Sequence, residues 1–256
     1  MANFLPLKRS ILFCLNKLIE EYDLRSDFLD VGCGIGDVSA FLAEKGWRGR
    51  AIDVSADAIE KARQNLTRFP SVELEKKDFL EASGTYNAVF LLDILEHMPE
   101  DGNALRKLTT LIADGGHAVI AVPSNPRYWK WDDDFYGHVR RYTAKGIKKK
   151  LEDAGLETVA IWDFTFPVFW AMRQVYSKIA RSPKEAIKPE ALQSRTQKSG
   201  MKPEWQNSFW VNWIGKISFF WDWVYRVQFK FFKHKTRWGH EMIILAKKRE
   251  TVTTHG

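Results

Sequence analysis

Asp93-Ile-Leu-Glu96-His97 sets two carboxylates and an imidazole at i, i+3 and i+4. On one helical turn, Asp93 and His97 share a face and Glu96 lies alongside. A second imidazole, His138, stands in Tyr136-Gly-His-Val-Arg140-Arg141-Tyr142. Two chemistries use such groups. An imidazole can take the proton of a reacting hydroxyl. Alternatively, Asp93, Glu96, His97 and His138 can hold a divalent cation, Mg²⁺ or Mn²⁺, the imidazoles favouring the latter. A purely structural role for the Glu–His pair is the third reading. Arg140 and Arg141 either pair with Asp132, Asp133 or Asp134, or hold an anionic acceptor.

Asp30-Val-Gly32-Cys-Gly34-Ile-Gly36 follows an apolar run and opens a stretch with helical character. Such a turn lets the backbone approach a ligand closely. A dinucleotide fingerprint needs glycine at the sixth position from Gly32. Here that residue is Asp37, an acid where a pyrophosphate would sit. This disfavours a nicotinamide cofactor and suits S-adenosylmethionine, which carries no phosphate. Asp53 ends the next apolar run, where a carboxylate accepts from ribose hydroxyls. Asp78 can accept from an adenine amino group, and Phe79 or its neighbours can pack on the ring.

The ordered series FLDVGCGIGDVSAFLAEKG, AIDVSADAIEKAR, KDF and YNAVFLLDILEHM resembles the motifs of class I S-adenosylmethionine-dependent methyltransferases. The resemblance spans residues 27–162 and the last strand. It implies a Rossmann-like, doubly wound α/β sheet of seven strands, the last antiparallel and placed between strands five and six. It also implies roles: Asp30 near the methionine amino group, Gly32 and Gly34 under the cofactor, Asp53 on the ribose, Asp78 and Phe79 at the adenine, Asp93 near the methionine end. The Asp93–His97 run with the distant His138 is similar to the Glu-x-x-Glu-His arrangement of ubiquinone-pathway and small-RNA O-methyltransferases, with Asp93 in place of the first Glu. The implied acceptor is small, lipid-like or quinone-like and is methylated at oxygen, with His97 or His138 assisting. No Asn/Asp-Pro-Pro-Tyr/Phe run follows the fourth strand, which argues against adenine N6 methylation of DNA. Cys14 and Cys33 offer no arrangement for cytosine C5 attack.

The elements that must position these groups are legible as alternating patterns. Strands are expected at residues 28–31, 50–54, 72–79, 86–92, 117–122, 156–162 and 240–248. Helices are expected at 7–22, 37–45, 56–68 (capped by Ser55), 101–112 and 143–154, the fourth closed by Asp114-Gly115-Gly116. This alternation predicts a parallel sheet with helices on both faces, and ligands beyond the carboxyl ends of its strands.

The 256 residues suit one cored domain with an insertion: 1–164 and 238–250 as the domain, 165–237 as the insertion, and a frayed tail after that. Two cysteines imply no disulfide framework and a reducing, cytoplasmic setting. No run reaches the roughly 18 apolar residues of a membrane span. Net charge is +7, yet residues 165–238 hold fourteen Lys or Arg against four Asp or Glu, a balance of +10. In SFWVNWIGKISFFWDWVYRVQFKFFKHK, a helical wheel puts Phe209, Trp213, Ile217, Phe220, Val224 and Phe231 on one side, and Asn212, Lys216, Arg226, Lys230 and Lys233 on another. An aromatic, basic helix suits a lid, an interface or the headgroup layer of an anionic membrane, which would make the chain peripheral on an inner membrane surface. Contact with nucleic acid phosphates is disfavoured beside these. The competing functions are an RNA methyltransferase that uses the basic insertion, a nicotinamide oxidoreductase, and a non-catalytic membrane adaptor.

Overall fold

A computed structural model describes residues 6–24, 27–179 and 218–249. Among these, the chain runs α1 (Pro6–Tyr22), β1 (Asp27–Val31), α2 (Asp37–Glu44), β2 (Arg48–Asp53), α3 (Ala56–Asn65), β3 (Val72–Lys76), β4 (Tyr86–Leu92), α4 (Asp101–Leu111), β5 (Ile112–Pro123), α5 (Trp131–Tyr136), α6 (Ala144–Asp153), β6 (Leu156–Asp163), α7 (Val168–Ile179), α8 (Ser218–Phe232) and β7 (Glu241–Lys248). The strands form one sheet in the order β3-β2-β1-β4-β5-β7-β6. β7 is antiparallel to both β5 and β6 and lies between them, as the resemblance implies.

Alternate residues of the central strands feed opposite faces. Leu29, Val31, Val89, Leu91 and Ile120 join α4 and α6 in one core. Phe28, Phe90, Val119, Ile243 and Leu245 join α1, α2 and α3 in the other. The middle of β4 is buried on both faces, which explains its uninterrupted apolar run.

Several elements differ from expectation. β3 stops at Lys76, and Asp78 caps a 3₁₀ turn, Phe79–Glu81, by accepting from the Leu80 N–H at 2.8 Å. Asp114-Gly115-Gly116 lies inside β5, where the register against β4 shifts, rather than closing α4. The six-residue α5 was hidden by its acidic sequence WDDDFY. On α8 the buried stripe is Trp221, Val224, Tyr225 and Gln228, while Phe220 and Phe231 face out. Both sides of that helix are apolar, so tertiary packing chose the face. The expectations for residues 180–217 and 250–256 lie outside the described residues.

α8 seats on the main domain. Phe229 meets Trp162 edge-on at 4.9 Å, and Phe13 of α1 at 5.7 Å. Gln228 Nε2 and Ser10 Oγ both donate to the Phe164 carbonyl. α7 packs on α8 through Phe169, stacked on Trp221 and Tyr225.

The turn into β7 is closely packed. A Cβ at Gly239 would overlap the Asp163 carboxylate. Asp163 is buried and accepts from the N–H groups of Thr165 at 2.8 Å and Phe166 at 2.7 Å. Gly239→Ala is therefore expected to cost about 3 kcal/mol by overpacking. The thermal midpoint should fall by roughly 5–10 °C. An unchanged midpoint would contradict this packing.

Candidate active site

The glycine turn stands at the carboxyl edge of β1. Its Cys33 N–H donates to the Ile52 carbonyl at 3.0 Å, which ties the turn to β2. Gly32 and Gly34 have φ of +64° and +55°, the left-handed region where a Cβ is disfavoured. Their surroundings differ. A Cβ on Gly32 would strike Ile94, whereas one on Gly34 would meet nothing within 4 Å. The turn is thus packed on the β4 side and borders open space at Gly34, the cradle a closely approaching ligand needs.

Carboxylates ring this cradle. Asp53 Oδ2 accepts from the Gly34 N–H at 2.9 Å, and Oδ1 from the Ser55 N–H at 2.8 Å. Burial pushes its carboxyl above the usual carboxylate range, against these two donors. Asp30 lies beneath the turn, 2 % exposed, with Oδ2 accepting from Ser39 Oγ at 2.6 Å. Burial lifts it to about 6, opposed by Ser39. Asp78 is exposed, whereas Phe79 is core, 5 % exposed among Leu91, Leu95 and Ala104. The expected packing of Phe79 on an adenine ring is therefore corrected: the 3₁₀ turn directs it inward, and its exposed neighbour is Leu80.

The strand-four loop does not form the helical turn expected at Asp93. Asp93 has φ +54°, and only Leu95–His97 are helical, as a single 3₁₀ turn. A non-glycine residue in this region is uncommon, and such strain concentrates at functional sites. Ligand atoms of Glu96, His97 and His138 lie within 4.8 Å of one another, and Asp93 is not among them. The four-residue cation set is thereby corrected to three, with Asp93 outside it on a residue of positive φ. Asp93 remains open to solvent, and the surrounding protein raises its carboxyl.

The three groups present unshared electron pairs to one another. His138 Nδ1 is 2.8 Å from Asp133 Oδ1, and His97 Nδ1 is 3.2 Å from the Gly137 carbonyl. Both Nδ1 atoms therefore donate, which leaves both Nε2 atoms as acceptors. Each Nε2 is 3.9 Å from Glu96 Oε1. Glu96 is 1 % exposed, and its Oε2 has no hydrogen-bond partner. Acceptors converging in a buried space need a proton or a cation between them. Burial, with Asp93 nearby, raises Glu96 well above the usual carboxylate range. Burial and His138 lower His97 to about 4, against the Gly137 carbonyl.

Sequence reasoning missed two contributors, Lys8 and Glu241, and left a third, Asp133, open among three neighbouring acids. Asp133, fully buried, accepts from His138, from Arg141 Nε at 2.7 Å, from Arg173 Nη2 at 3.0 Å and from the Lys130 N–H at 2.8 Å. Burial alone would raise its carboxyl, yet these donors hold it at about 2. Its signal was the acid run beside two arginines. Of those arginines, only Arg141 pairs with it; Arg140 goes to Asp101 at 2.7 Å. Lys8 of α1 pairs with Asp37 over the glycine turn, and burial lowers it to about 8. Glu241, opposite Pro123 at the carboxyl edge of β5, is raised by burial and by Asp93. Neither has a local sequence signal, since both arrive through tertiary packing.

α7 braces this region. Arg173 donates to Asp132 at 2.7 and 2.9 Å and to the Tyr128 carbonyl at 2.9 Å. The described part of the insertion therefore touches the segment that carries His138.

Comparison with known proteins agrees with the fold. The family model described as "Methyltransferase domain" matches residues 5–161. The ubiquinone biosynthesis O-methyltransferase of Vibrio parahaemolyticus is 30% identical over 128 residues, 47% of this chain and 54% of that protein. The chain thus spans about half the length of the curated relatives it matches. Among solved structures, the [4+2]-cyclase SpnF superposes with a TM-score of 0.60 at 17% identity, covering 94% of this chain and 81% of that one. The N-methyltransferase NodS from Bradyrhizobium japonicum, solved with S-adenosyl-L-homocysteine, gives 0.51 at 23% identity, covering 61% and 78%. These two likenesses establish the fold, and the matched family model establishes the kinship. The chain belongs to the methyltransferase-domain family, the class I S-adenosylmethionine-dependent methyltransferases.

Proposed function

We propose that this chain methylates an oxygen of a small, lipid-like or quinone-like acceptor, using S-adenosylmethionine. The observation that carries the reading is the convergence of Glu96, His97 and His138, the first of them two residues beyond Ile94, the side chain that lies against Gly32. Proton-accepting groups thereby adjoin the cofactor turn. The ubiquinone O-methyltransferase relatives support oxygen as the acceptor atom and a quinone-like class. An acceptor of that class resides in a membrane, so an anionic membrane surface is part of the reading.

The residues present fit the cofactor. Asp53 and Asp78 would hold its ribose and adenine, and the open face at Gly34 admits its backbone. Asp30 and Lys8 would serve its methionine ammonium and carboxylate. Bound S-adenosylmethionine supplies an electrophilic methyl carbon on a sulfonium, which departs as a neutral thioether. The acceptor hydroxyl must lose its proton as its oxygen attacks in line. His138 is the base in this reading, because Asp133 accepts from its Nδ1–H, leaves Nε2 to take the proton and faces the imidazolium that forms. His97, lowered to about 4, stays neutral and orients the hydroxyl. Glu96, His97 and His138 would also suit a divalent cation, Mn²⁺ better than Mg²⁺ given two nitrogens. Such a cation would acidify a hydroxyl bound to it.

Transfer of methyl label from S-adenosylmethionine into total cell extract tests the reading. Label is expected in the lipid fraction, in a product stable to mild base as an ether is. Label confined to nucleic acid would overturn it, as would label on nitrogen.

A further inference from the structure

The geometry points to the exposed face of α8 as a docking surface for anionic lipid headgroups. Phe219, Trp223, Arg226 and Lys230 follow one another at four, three and four residues and therefore form one stripe along the helix. Phe219 is 83 % exposed and Trp223 56 % exposed, and Arg226 and Lys230 are also exposed. Phe220 and Phe231 flank the stripe at 44 % and 62 % exposure. Soluble monomers rarely leave so many large aromatics together in water. The opposite stripe, Trp221, Val224, Tyr225 and Gln228, fixes the helix to the protein, so the outward face does not turn inward.

Charge selects the occupant. A protein interface core is depleted of lysine, whereas here basic groups share the stripe with the rings. Lys230 Nζ lies 5.4 Å from the Phe231 ring. Just beyond the helix, Lys235 Nζ lies 5.4 Å from the ring of Trp238, which is 50 % exposed. Asp222 is the one acid on α8. Rings that reach the acyl boundary, with long cationic arms beside them at headgroup level, are the layout of an interfacial helix. No helix among the described residues is long and apolar enough to cross a membrane, so this one lies along the surface.

The purpose of this surface rests on the proposed membrane-resident acceptor; its observations do not. Flotation of the full chain with vesicles tests it: phosphatidylcholine mixed with phosphatidylglycerol, against phosphatidylcholine alone. The parent is expected to float with the anionic vesicles and to be released by salt. Each basic residue near an anionic surface contributes about five-fold in partitioning, so R226Q/K230Q should lose roughly 25-fold. F219S/W223S should lose at least as much. All four positions are exposed, so both variants are expected to keep the parent's melting temperature. A parent that stays unbound overturns the surface, as do variants that float like the parent. Loss of a dimer in sedimentation, with vesicle binding intact, overturns it in favour of a second copy. Calorimetric cofactor binding by the same proteins reports separately on the enzyme reading. Cofactor binding without flotation removes the surface alone. Flotation without cofactor binding leaves the surface standing and removes the methyltransferase.

Discussion

Asp53→Ala should weaken binding of S-adenosylhomocysteine roughly 100-fold in calorimetry. Two effects combine. The carboxylate would accept from ribose hydroxyls, and charge-assisted hydrogen bonds contribute about 1.5–3 kcal/mol each. It also accepts from the Gly34 and Ser55 N–H groups, so its loss leaves only the Cys33–Ile52 backbone bond to tie the cofactor turn to β2. Asp53→Asn keeps an acceptor for one of these donors and should fall between the parent and Asp53→Ala. A folded Asp53→Ala protein with parental affinity would remove the cofactor assignment at this carboxylate.

His138→Ala should lower kcat by about 10²- to 10⁴-fold while cofactor affinity stays near that of the parent. The reasoning runs through Asp133. With Nδ1 held at 2.8 Å by that carboxylate, only Nε2 is free to take a proton. Asp133→Asn should therefore reproduce much of the kcat loss with a small change in KM, and should shift the acid limb of the pH profile. Its readout is complicated by stability, because Arg141 would lose its buried partner at a cost of about 3–5 kcal/mol. His138→Ala leaves that ion pair intact and is the cleaner variant. A His138→Ala enzyme with parental kcat would exclude this histidine as the base.

The same residues give a pH signature in stability. Asp133, held at about 2, sits below its unfolded value, so its contribution is complete above that value and is lost as pH falls from about 4 toward 2. Asp163 is raised to about 6 by burial, against donors from Phe166 and Thr165. The folded chain keeps that proton to higher pH, so its contribution declines as pH rises from about 4 to 6.

What the sequence revealed and what it hid follow one physical line. β4 was readable because a stretch of strand covered on both faces must be apolar, as its buried middle, Ala88 to Leu91, is. The glycine turn and Asp53 were readable because backbone approach and ribose recognition act within a few residues of a strand end. Asp93 misled because helical spacing is silent about a positive φ. Phe79 misled because the ring's direction depends on the 3₁₀ turn capped by Asp78. Lys8 and Glu241 gained their roles from partners far along the chain, which periodicity does not encode, whereas Asp133 serves His138 and Arg141 five and eight residues on, a pairing the acid run left unassigned among three aspartates. The buried face of α8 was ambiguous for a related reason: Trp221 and Trp223 are equal in hydrophobicity, and tertiary packing, including the stack of Trp221 on Phe169, separates them.

Calorimetric titration of the full chain with S-adenosylhomocysteine, and separately with NAD, tests the central claim most directly. The glycine turn with Asp37 at its sixth position, Asp53 on its tether and open space at Gly34 predicts saturable one-to-one binding of S-adenosylhomocysteine and none of NAD. Saturable binding of NAD with no response to S-adenosylhomocysteine would contradict it.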